Sequence, residues 1–459
     1  MSGALQTTGV QVRRPSLVDL ERKSFIVLGL GRSGVAAARF LIDRGTRVMG
    51  YDENRERYSS AEVRRLLHKG FKVVDRAEAL RGDWAIVSPG WDDGHPAIRF
   101  LRKRRVQIAD ELDFASLFVT GTLVGITGTN GKSTTTALTA RMLAEAGHRV
   151  FVGGNLAPGR PLSAALGQRS YDYYVLEVSS FQLERTQWLA PRVAAVLNIT
   201  ADHLNRHGSR EEYARAKMRI FERQTSSDFA VLGYDDEIVR RMAVSKAERF
   251  FFSAVRRVKG SYLNCGWICF DGQRVARSTD VRLPGRHNLL NALAATCISA
   301  LLGVESRFIR QALVRFRGLP HRLEVVRRFR GVEFVNNSMC TNPAAAVLSL
   351  AAFDRPVVLI TGGQSKGLPM GEYVETIRRR AKSVVLIGEV SEELARQLRQ
   401  RGYKEFVITE TLGAAVRQAA AAARPGDVVL FSPGFASFDM FRDFQDRGRR
   451  FVREVRRLS

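Results

Sequence analysis

The chain has 459 residues, with 72 Lys and Arg against 46 Asp and Glu, for a formal net charge of +26. This length suits two or three domains and excludes a miniprotein, and 45% hydrophobic with 26% charged residues excludes a disordered chain. The basic excess admits nucleic acid or an anionic membrane as partner, but 61 of the basic residues are scattered arginines, so a bias of composition explains most of it.

Residues 1–15 read as a loose tail, and the first twenty lack the apolar core of a signal peptide. Beyond them short apolar runs alternate with stretches of helical period, which predicts an α/β fold of parallel sheets wrapped by helices. The first strand, Phe25–Leu28, leads into Gly29-Leu30-Gly31-Arg32-Ser33-Gly34 and a helix over Ser33–Arg44; a second strand, Arg47–Tyr51, ends at Asp52. Read alone, this G-x-G-x-x-G turn indicates NAD, but the same backbone geometry holds the pyrophosphate of any nucleotide-linked ligand such as a UDP-sugar, or forms a purely structural turn. A strand at Ala85–Ser88 follows, and a first boundary falls near Ile108–Leu112.

The next strand, Leu123–Thr127, runs into Gly128-Thr129-Asn130-Gly131-Lys132-Ser133-Thr134 and a helix over Lys132–Ala146. Glycines turn backbone N–H groups toward a polyphosphate, the helix N-terminus adds its dipole, Lys132 brings a positive charge and Ser133 a metal-ligand hydroxyl. The upstream glycine is two residues closer than in the strict G-x-x-x-x-G-K-[ST] spacing, yet a ligand-free turn would rarely place Lys-Ser at the helix start. Glu177 ends the strand Tyr174–Val178, where a magnesium ligand is needed in such a sheet. The strand Val193–Asn198 precedes Thr200-Ala201-Asp202-His203, and Lys217 lies on a helix over Arg210–Arg223. Taken singly, His203 reads as a packed side chain and Lys217 as a surface lysine.

The longest apolar run, Ala292 to Val304, is too short to span a bilayer. Cys265, Cys269, Cys297 and Cys340 form no C-x-x-C pair, which argues against zinc or a disulfide framework and suits a reducing cytoplasm. A second boundary falls near Gly318–Pro320. After it come strands at Leu323–Val326, Val332–Val335, Val357–Thr361, Ser383–Ile387 and Val428–Phe431.

These segments taken together resemble one family. Gly128–Thr134, Leu176-Glu177-Val178-Ser179-Ser180-Phe181-Gln182-Leu183-Glu184, Asn198–Arg206, Ala216-Lys217-Met218-Arg219-Ile220, Arg286-His287-Asn288-Leu289-Leu290-Asn291-Ala292 and Gly318-Leu319-Pro320-His321-Arg322 are similar to the motifs of the Mur ligases, the ATP-dependent amino-acid ligases of peptidoglycan precursor synthesis. The likeness covers roughly residues 20–459. Ser88-Pro89-Gly90 and Ser432–Phe441 are most similar to the branch that adds D-glutamate to UDP-N-acetylmuramoyl-L-alanine.

The resemblance implies three α/β domains: residues 1–112 for the UDP-substrate, a P-loop ATPase-like 113–318 for ATP, and a Rossmann-like 319–459 for the amino acid. It implies that Gly128, Thr129, Asn130, Gly131, Lys132, Ser133 and Thr134 hold the ATP phosphates, with Asn288 and Asn291 on the adenine side, Arg322 on the phosphates and Asn337 near the ribose. Ser133 and Glu177 would hold one Mg2+. His203 and a carbamylated Lys217 would hold a second, since carbamylation turns a cationic amine into an anion. Lys132, His203 and Lys217 are thus the implied catalytic residues. Gly29, Gly31, Arg32, Ser33, Gly34, Asp52, Ser88 and Asn155 would meet the UDP-substrate, and Thr341, Lys366, Ser437, Phe438 and Phe444 the glutamate. A monomer without nucleic-acid or membrane-spanning partners, acting in the cytoplasm and closing its domains on three small substrates, is expected.

One segment departs from the pattern. The family's D-S-K-A-T-N reads Asn337-Ser338-Met339-Cys340-Thr341-Asn342 here, so an acid has become an amide and a lysine has become a methionine that cannot pair with a carboxylate. Either the glutamate pocket is rearranged, the reading favoured by Thr341, Ser437 and Phe444, or the amino acid or its stereochemistry differs. Among competing functions, a folylpolyglutamate-synthetase-like ligase does not predict the N-terminal glycine turn, and an NAD dehydrogenase leaves Gly128–Thr134, Glu177, His203 and Lys217 without a role. A nucleic-acid-binding ATPase lacks an aromatic-interleaved basic motif.

Overall fold

The computed structural model describes residues 20, 22–156, 159–167, 170–200, 208–244, 246–283 and 285–459. Residues 1–15 and His203 therefore lie outside the described residues. The chain adopts the expected α/β class, with three sheets in two compact units, one ending at Phe316 and the other beginning at Arg317.

The first sheet contains β1 (Ser24–Leu28), β2 (Arg47–Tyr51), β3 (Lys72–Val73), β4 (Trp84–Val87) and β5 (Gln107–Asp110), all parallel in the order β3-β2-β1-β4-β5. Phe25–Leu28 and Trp84–Val87 are buried along their length, as strands covered on both faces must be. Strand order reverses between β1 and β4, and this opens a crevice at their C-terminal ends beside Gly29 and Ser88.

The second sheet contains β6 (Thr122–Thr127), β7 (Val150–Gly154), β8 (Tyr173–Glu177), β9 (Val193–Val196), β10 (Phe229–Gly233), β11 (Glu248–Ser253), β12 (Gly260–Asn264), β13 (Trp267–Phe270) and β14 (Gln273–Arg277). Its order is β14-β13-β12-β11-β10-β9-β6-β8-β7, which places the phosphate-loop strand β6 between β9 and β8. The expectation of a parallel sheet needs correction at one edge, because β12-β13 and β13-β14 are antiparallel. The cause is two tight turns, Cys265-Gly266 (φ 46° and 75°) and Asp271-Gly272 (φ 45° and 90°), whose paired left-handed residues fold the chain straight back on itself. The apolar run from Ala292 lies in the helix Arg286–Leu301, with Ala292–Ile298 all buried, the Thr296 hydroxyl included.

One apolar cluster passes from Phe25, Phe40 and Phe114 into Phe151, Leu176 and Ile220, which makes the first two sheets a single body. Polar contacts reinforce it. Buried Asp113 accepts the backbone N–H groups of Gln187, Trp188 and Leu189 at 2.7, 3.0 and 2.8 Å, and Glu111 accepts that of Ser163 at 2.7 Å. Burial pushes the Asp113 carboxyl up to about 6 and that of Glu111 up to about 7. Arg185 bridges to Asp93 at 2.9 Å and to the carbonyl of Trp91.

The second unit holds β15 (Glu324–Phe329), β16 (Val332–Asn336), β17 (Val357–Gly362), β18 (Ala381–Ile387), β19 (Phe406–Thr409) and β20 (Val428–Gly434), in the order β15-β16-β20-β17-β18-β19. A turn at Arg330-Gly331 (φ 50° and 76°) makes β15 antiparallel to β16, and the other pairs are parallel. The final helix, Phe444–Arg456, stacks Phe451 on Phe431 at 4.6 Å. Arg327 satisfies the carbonyls at its end, donating to Val455, Arg456 and Leu458 at 3.1, 3.3 and 2.8 Å. Among the described residues no helix is long and apolar enough to cross a membrane.

Candidate active site

The strand β6 delivers the chain to Gly128 at φ 152°, and Gly131 caps the following helix, Lys132–Glu145, at φ 83°. Both glycines are required by space as well as by φ. A Cβ on Gly131 would lie 2.1 Å from Asn291 Oδ1, and one on Gly128 would lie 2.9 Å from Leu197 Cβ. Lys132 reaches back over the loop and donates to the carbonyls of Gly128 and Thr129 at 2.9 and 2.8 Å. Asn130 is held from the neighbouring strand end: its N–H donates to Asn198 Oδ1 at 2.8 Å, and Asn198 Nδ2 returns a bond to its carbonyl at 3.0 Å. The loop is thus shaped for a polyphosphate by the protein's own bonds.

Glu177, at the end of β8, is 3% exposed and carries the next layer. Ser133 Oγ donates to its Oε2 at 2.6 Å, and Asn155 Nδ2 donates to its Oε1 at 3.1 Å. The Ser133 hydroxyl and the Glu177 carboxylate are hard oxygen donors side by side, a pair that suits Mg2+, while the Asn155 amide N–H holds the carboxylate in place. Asn155, expected at the UDP-substrate, is therefore joined to the expected metal carboxylate. Lys217 is 1% exposed, with Nζ 3.4 Å from Thr127 Oγ1 and 4.5 Å from the Tyr213 ring centroid. Asn291 Oδ1 lies 3.4 Å from Thr135 Oγ1, and its Nδ2 donates to Asn288 Oδ1 at 3.2 Å. Gly128–Thr134, Glu177, Asn155, Lys217, Asn288 and Asn291 are thus gathered around the C-terminal ends of β6 and β8.

At the first sheet, Gly29, Gly31, Arg32, Ser33, Gly34, Asp52 and Ser88 surround the end of β1. A Cβ on Gly34 would lie 1.8 Å from the Gly29 carbonyl oxygen, so the close approach of helix to strand depends on that glycine. Asp52, 4% exposed, accepts the N–H of Leu30 at 2.5 Å, that of Asn54 at 2.9 Å and Arg57 Nη1 at 2.8 Å. This carboxylate braces the glycine loop with the bonds that a ribose hydroxyl would otherwise take.

In the second unit four separated segments are stitched together. Gln364 and Ala436 exchange backbone bonds at 3.0 and 3.1 Å, which sets the Lys366 loop beside Ser437 and the 68% exposed Phe438. Ser338 Oγ donates to the Phe444 carbonyl at 2.7 Å and so draws the Thr341 loop to the last helix. Arg447, which sequence reasoning missed, is the clamp. It is 1% exposed and donates to Ser338 Oγ, the Ser338 carbonyl, and the carbonyls of Phe435 and Ala436, all within 3.1 Å. Burial pushes its guanidinium down to about 10. Asn337 is buried and its amide is fully engaged: it donates to Ser349 Oγ and Ser432 Oγ at 2.7 and 3.1 Å and accepts Leu323 N–H at 3.2 Å. Arg322 lies in the turn that precedes β15, next to His321.

Residues 23–110 match the Mur ligase MurD-like N-terminal domain, 126–299 the Mur ligase middle domain, and 321–435 the Mur ligase glutamate ligase domain. The chain is 39% identical over 454 residues to the UDP-N-acetylmuramoylalanine–D-glutamate ligase of Pelotomaculum thermopropionicum, covering 96% of this chain and 99% of that one. It is 37% identical over 462 residues to the protein of the same name from Caldicellulosiruptor bescii, again covering 96% and 99%. In fold it is similar to the UDP-N-acetylmuramate-alanine ligase MurC of Thermotoga maritima, with a TM-score of 0.60 at 22% identity over 95% of this chain and 99% of that one. With the phosphate loop, its carboxylate and all three sheets accounted for, the chain belongs to the Mur ligase family, the ATP-dependent amide-bond-forming ligases of peptidoglycan precursor synthesis.

Proposed function

We propose that this chain joins D-glutamate to UDP-N-acetylmuramoyl-L-alanine, as the name of its nearly full-length relatives states for them. The single observation that carries the reading is the close set of Lys132, Ser133, Glu177 and Asn155 at the end of β6, in a chain matched by relatives of that name along 96% of its length. The substrate carboxylate takes the terminal phosphoryl group of ATP and ADP departs. The amino group of glutamate then attacks the acyl phosphate, loses a proton, and phosphate leaves from the tetrahedral intermediate. Such a reaction depends on positioning and charge neutralisation more than on covalent help from the protein.

In this reading Lys132 exchanges its loop carbonyls for the terminal phosphates, and the N–H groups of Gly128–Ser133 cradle them. Ser133 and Glu177 hold one Mg2+, and Lys217, carbamylated, holds a second with His203. When bound, the metal ions neutralise phosphate charge. Asn155 orients Glu177, Asn288 and Asn291 face adenine, and Arg322 reaches the phosphates. Gly29, Gly31, Arg32, Ser33, Gly34 and Ser88 hold the UDP moiety, with Asp52 as their brace. Lys366, Thr341, Ser437, Phe438 and Phe444 receive glutamate. The reaction draws on both units in a monomeric chain, and four free cysteines support a reducing cytoplasm as its place.

The test is product mass after incubation with ATP, magnesium, UDP-N-acetylmuramoyl-L-alanine and, in parallel, D-Glu, L-Glu or other amino acids. An amide product with D-Glu is expected. Met339, where the family carries lysine, favours one second reading, a ligase for another amino acid or stereoisomer; a preference for L-Glu establishes it, and no product with any amino acid removes both.

A further inference from the structure

The second unit carries a cleft of about 570 Å3 whose lining includes none of the residues assigned to a ligand above. One wall is the final helix, which presents Arg449, Arg453, Arg456 and Arg457; the other is the start of β15 with Pro320, His321 and Glu324. The arginine spacing of four, seven and eight residues from Arg449 places all four on one helical face. All four are exposed. Arg457 pairs with Glu454 at 2.8 Å, whereas among the described residues Arg449, Arg453 and Arg456 have no side-chain hydrogen bond or salt bridge.

Helix-dipole stabilisation alone does not account for this arrangement. Cations favour a helix C-terminus, but Arg327 already occupies the last carbonyls, and Arg449 sits two turns before them. The facing wall is also firmly built. Asn336 Nδ2 contacts His321 Nδ1 at 2.9 Å, Glu324 Oε2 at 3.2 Å and the Gly448 carbonyl at 3.3 Å. Glu324 Oε2 also accepts the His321 N–H at 2.8 Å, so the one carboxylate in the cleft has donors of its own. A Cβ on Gly448 would lie 2.2 Å from His321 Nδ1, and glycine there lets the arginine helix seat against the imidazole.

We propose that this cleft binds a phosphate-bearing polyanion, at a site separate from the substrate positions assigned above. Guanidinium forks match phosphate oxygens two at a time, and several unpaired forks around one concavity suit a di- or triphosphate better than a single carboxylate. The volume accommodates a molecule of nucleotide size, with Pro320 and Val452 as its apolar surface. The inference stands on this unit alone and does not depend on which amino acid the enzyme uses.

Inorganic pyrophosphate is the probe, titrated calorimetrically into the full chain. Binding to an Arg453→Gln/Arg456→Gln variant is expected to weaken at least about tenfold, from the loss of charge-assisted bonds, with an unchanged melting temperature. The same component should persist in Lys132→Ala, whose phosphate loop is impaired. An Arg378→Gln/Arg379→Gln control lowers the net charge equally on the same unit and should bind as wild type; if it loses as much, only a general positive field exists and the site is refuted. Identical titrations for wild type and Arg453→Gln/Arg456→Gln also refute it. Sedimentation with phosphatidylglycerol and phosphatidylcholine vesicles separates the sources of phosphate: dependence of vesicle binding on Arg453 and Arg456 with unchanged pyrophosphate binding overturns the cleft in favour of a lipid surface.

Discussion

The phosphate loop of the first unit and the expected glutamate pocket of the second are built in opposite ways. The loop is one contiguous stretch, Gly128–Thr134, whose lysine already rests on its own carbonyls and whose Ser133 is bonded to a buried carboxylate. The pocket is made of four segments far apart in sequence, held by one antiparallel bridge and by the buried Arg447, while its cationic residue Lys366 stays exposed. A site of the first kind carries its geometry in local sequence. A site of the second kind depends on a side chain that contacts no substrate.

The largest effect should come from cutting the local site at its charge. Lys132→Ala is expected to lower kcat by about 1,000-fold or more, since the phosphoryl transition state loses a preorganised cation. Its melting temperature should stay within a few degrees of wild type, because the Gly128 and Thr129 carbonyls it releases belong to its own loop and not to a packing contact between elements. A variant that unfolds would mean that Lys132 supports the fold and would blunt the contrast with Arg447.

Arg447→Ala should do the reverse. Four acceptors lose a donor at once, and among the described residues only the Ala436 carbonyl keeps another, the Gln364 N–H, so the cost is about 3 kcal/mol in unfolding free energy. The KM for glutamate should rise at least about tenfold while that for ATP stays within about twofold. Arg447→Lys restores charge but not the fork and should recover only part of the glutamate KM. Equal changes in the two KM values would show that the clamp serves the whole protein and not the pocket.

Gly131→Ala probes the local site through its backbone. An alanine at φ 83° is strained, and its Cβ would meet Asn291 Oδ1 at 2.1 Å, so a loss of about 2 kcal/mol is expected. Adding Asn291→Ala should return part of that stability by removing the clash. Urea unfolding of the single and double variants measures this, and a double variant no more stable than the single would assign the whole cost to φ.

What was legible in the sequence follows the same division. Gly128–Thr134 and Glu177 could be read because strand, glycines, lysine and carboxylate each carry a local signature, and β1, β2 and β17 appear within a residue of where their apolar runs place them. That Asn155 shares Glu177 was not legible, because the contact spans two strands. The Asp271-Gly272 turn was a readable hairpin signal, and passing over it left the antiparallel edge of the second sheet unforeseen. Arg447 could not be picked out of 61 arginines, since its role depends on burial. Asp110, Glu111 and Asp113 were not legible for the same reason: nothing local marks an acid as buried, yet all three are buried beside the segment that joins the first two sheets.

That buried acid cluster supplies the smallest prediction. The Glu111 carboxyl titrates at about 7 in the folded chain, against 4.5 ordinarily, because burial disfavours its charge. Between those values the folded state holds a proton that the unfolded state has released, so the stabilisation linked to Glu111 is fully present below about pH 4.5 and is lost as pH rises through about 7. Asp113, at about 6, and Asp110, also raised by burial, act in the same direction. Glu111→Gln keeps an oxygen for the Ser163 N–H and carries no charge at any pH. It should therefore match wild type near pH 5 and exceed it by about 1 kcal/mol at pH 8, less than the full linkage of about 3 kcal/mol because hydration on ionisation relieves part of the burial penalty. Urea unfolding of both proteins at the two pH values decides it. Parallel pH profiles would show that Glu111 ionises as freely in the folded chain as in the unfolded one, and burial at the junction of the first two sheets would then carry no proton linkage at this residue.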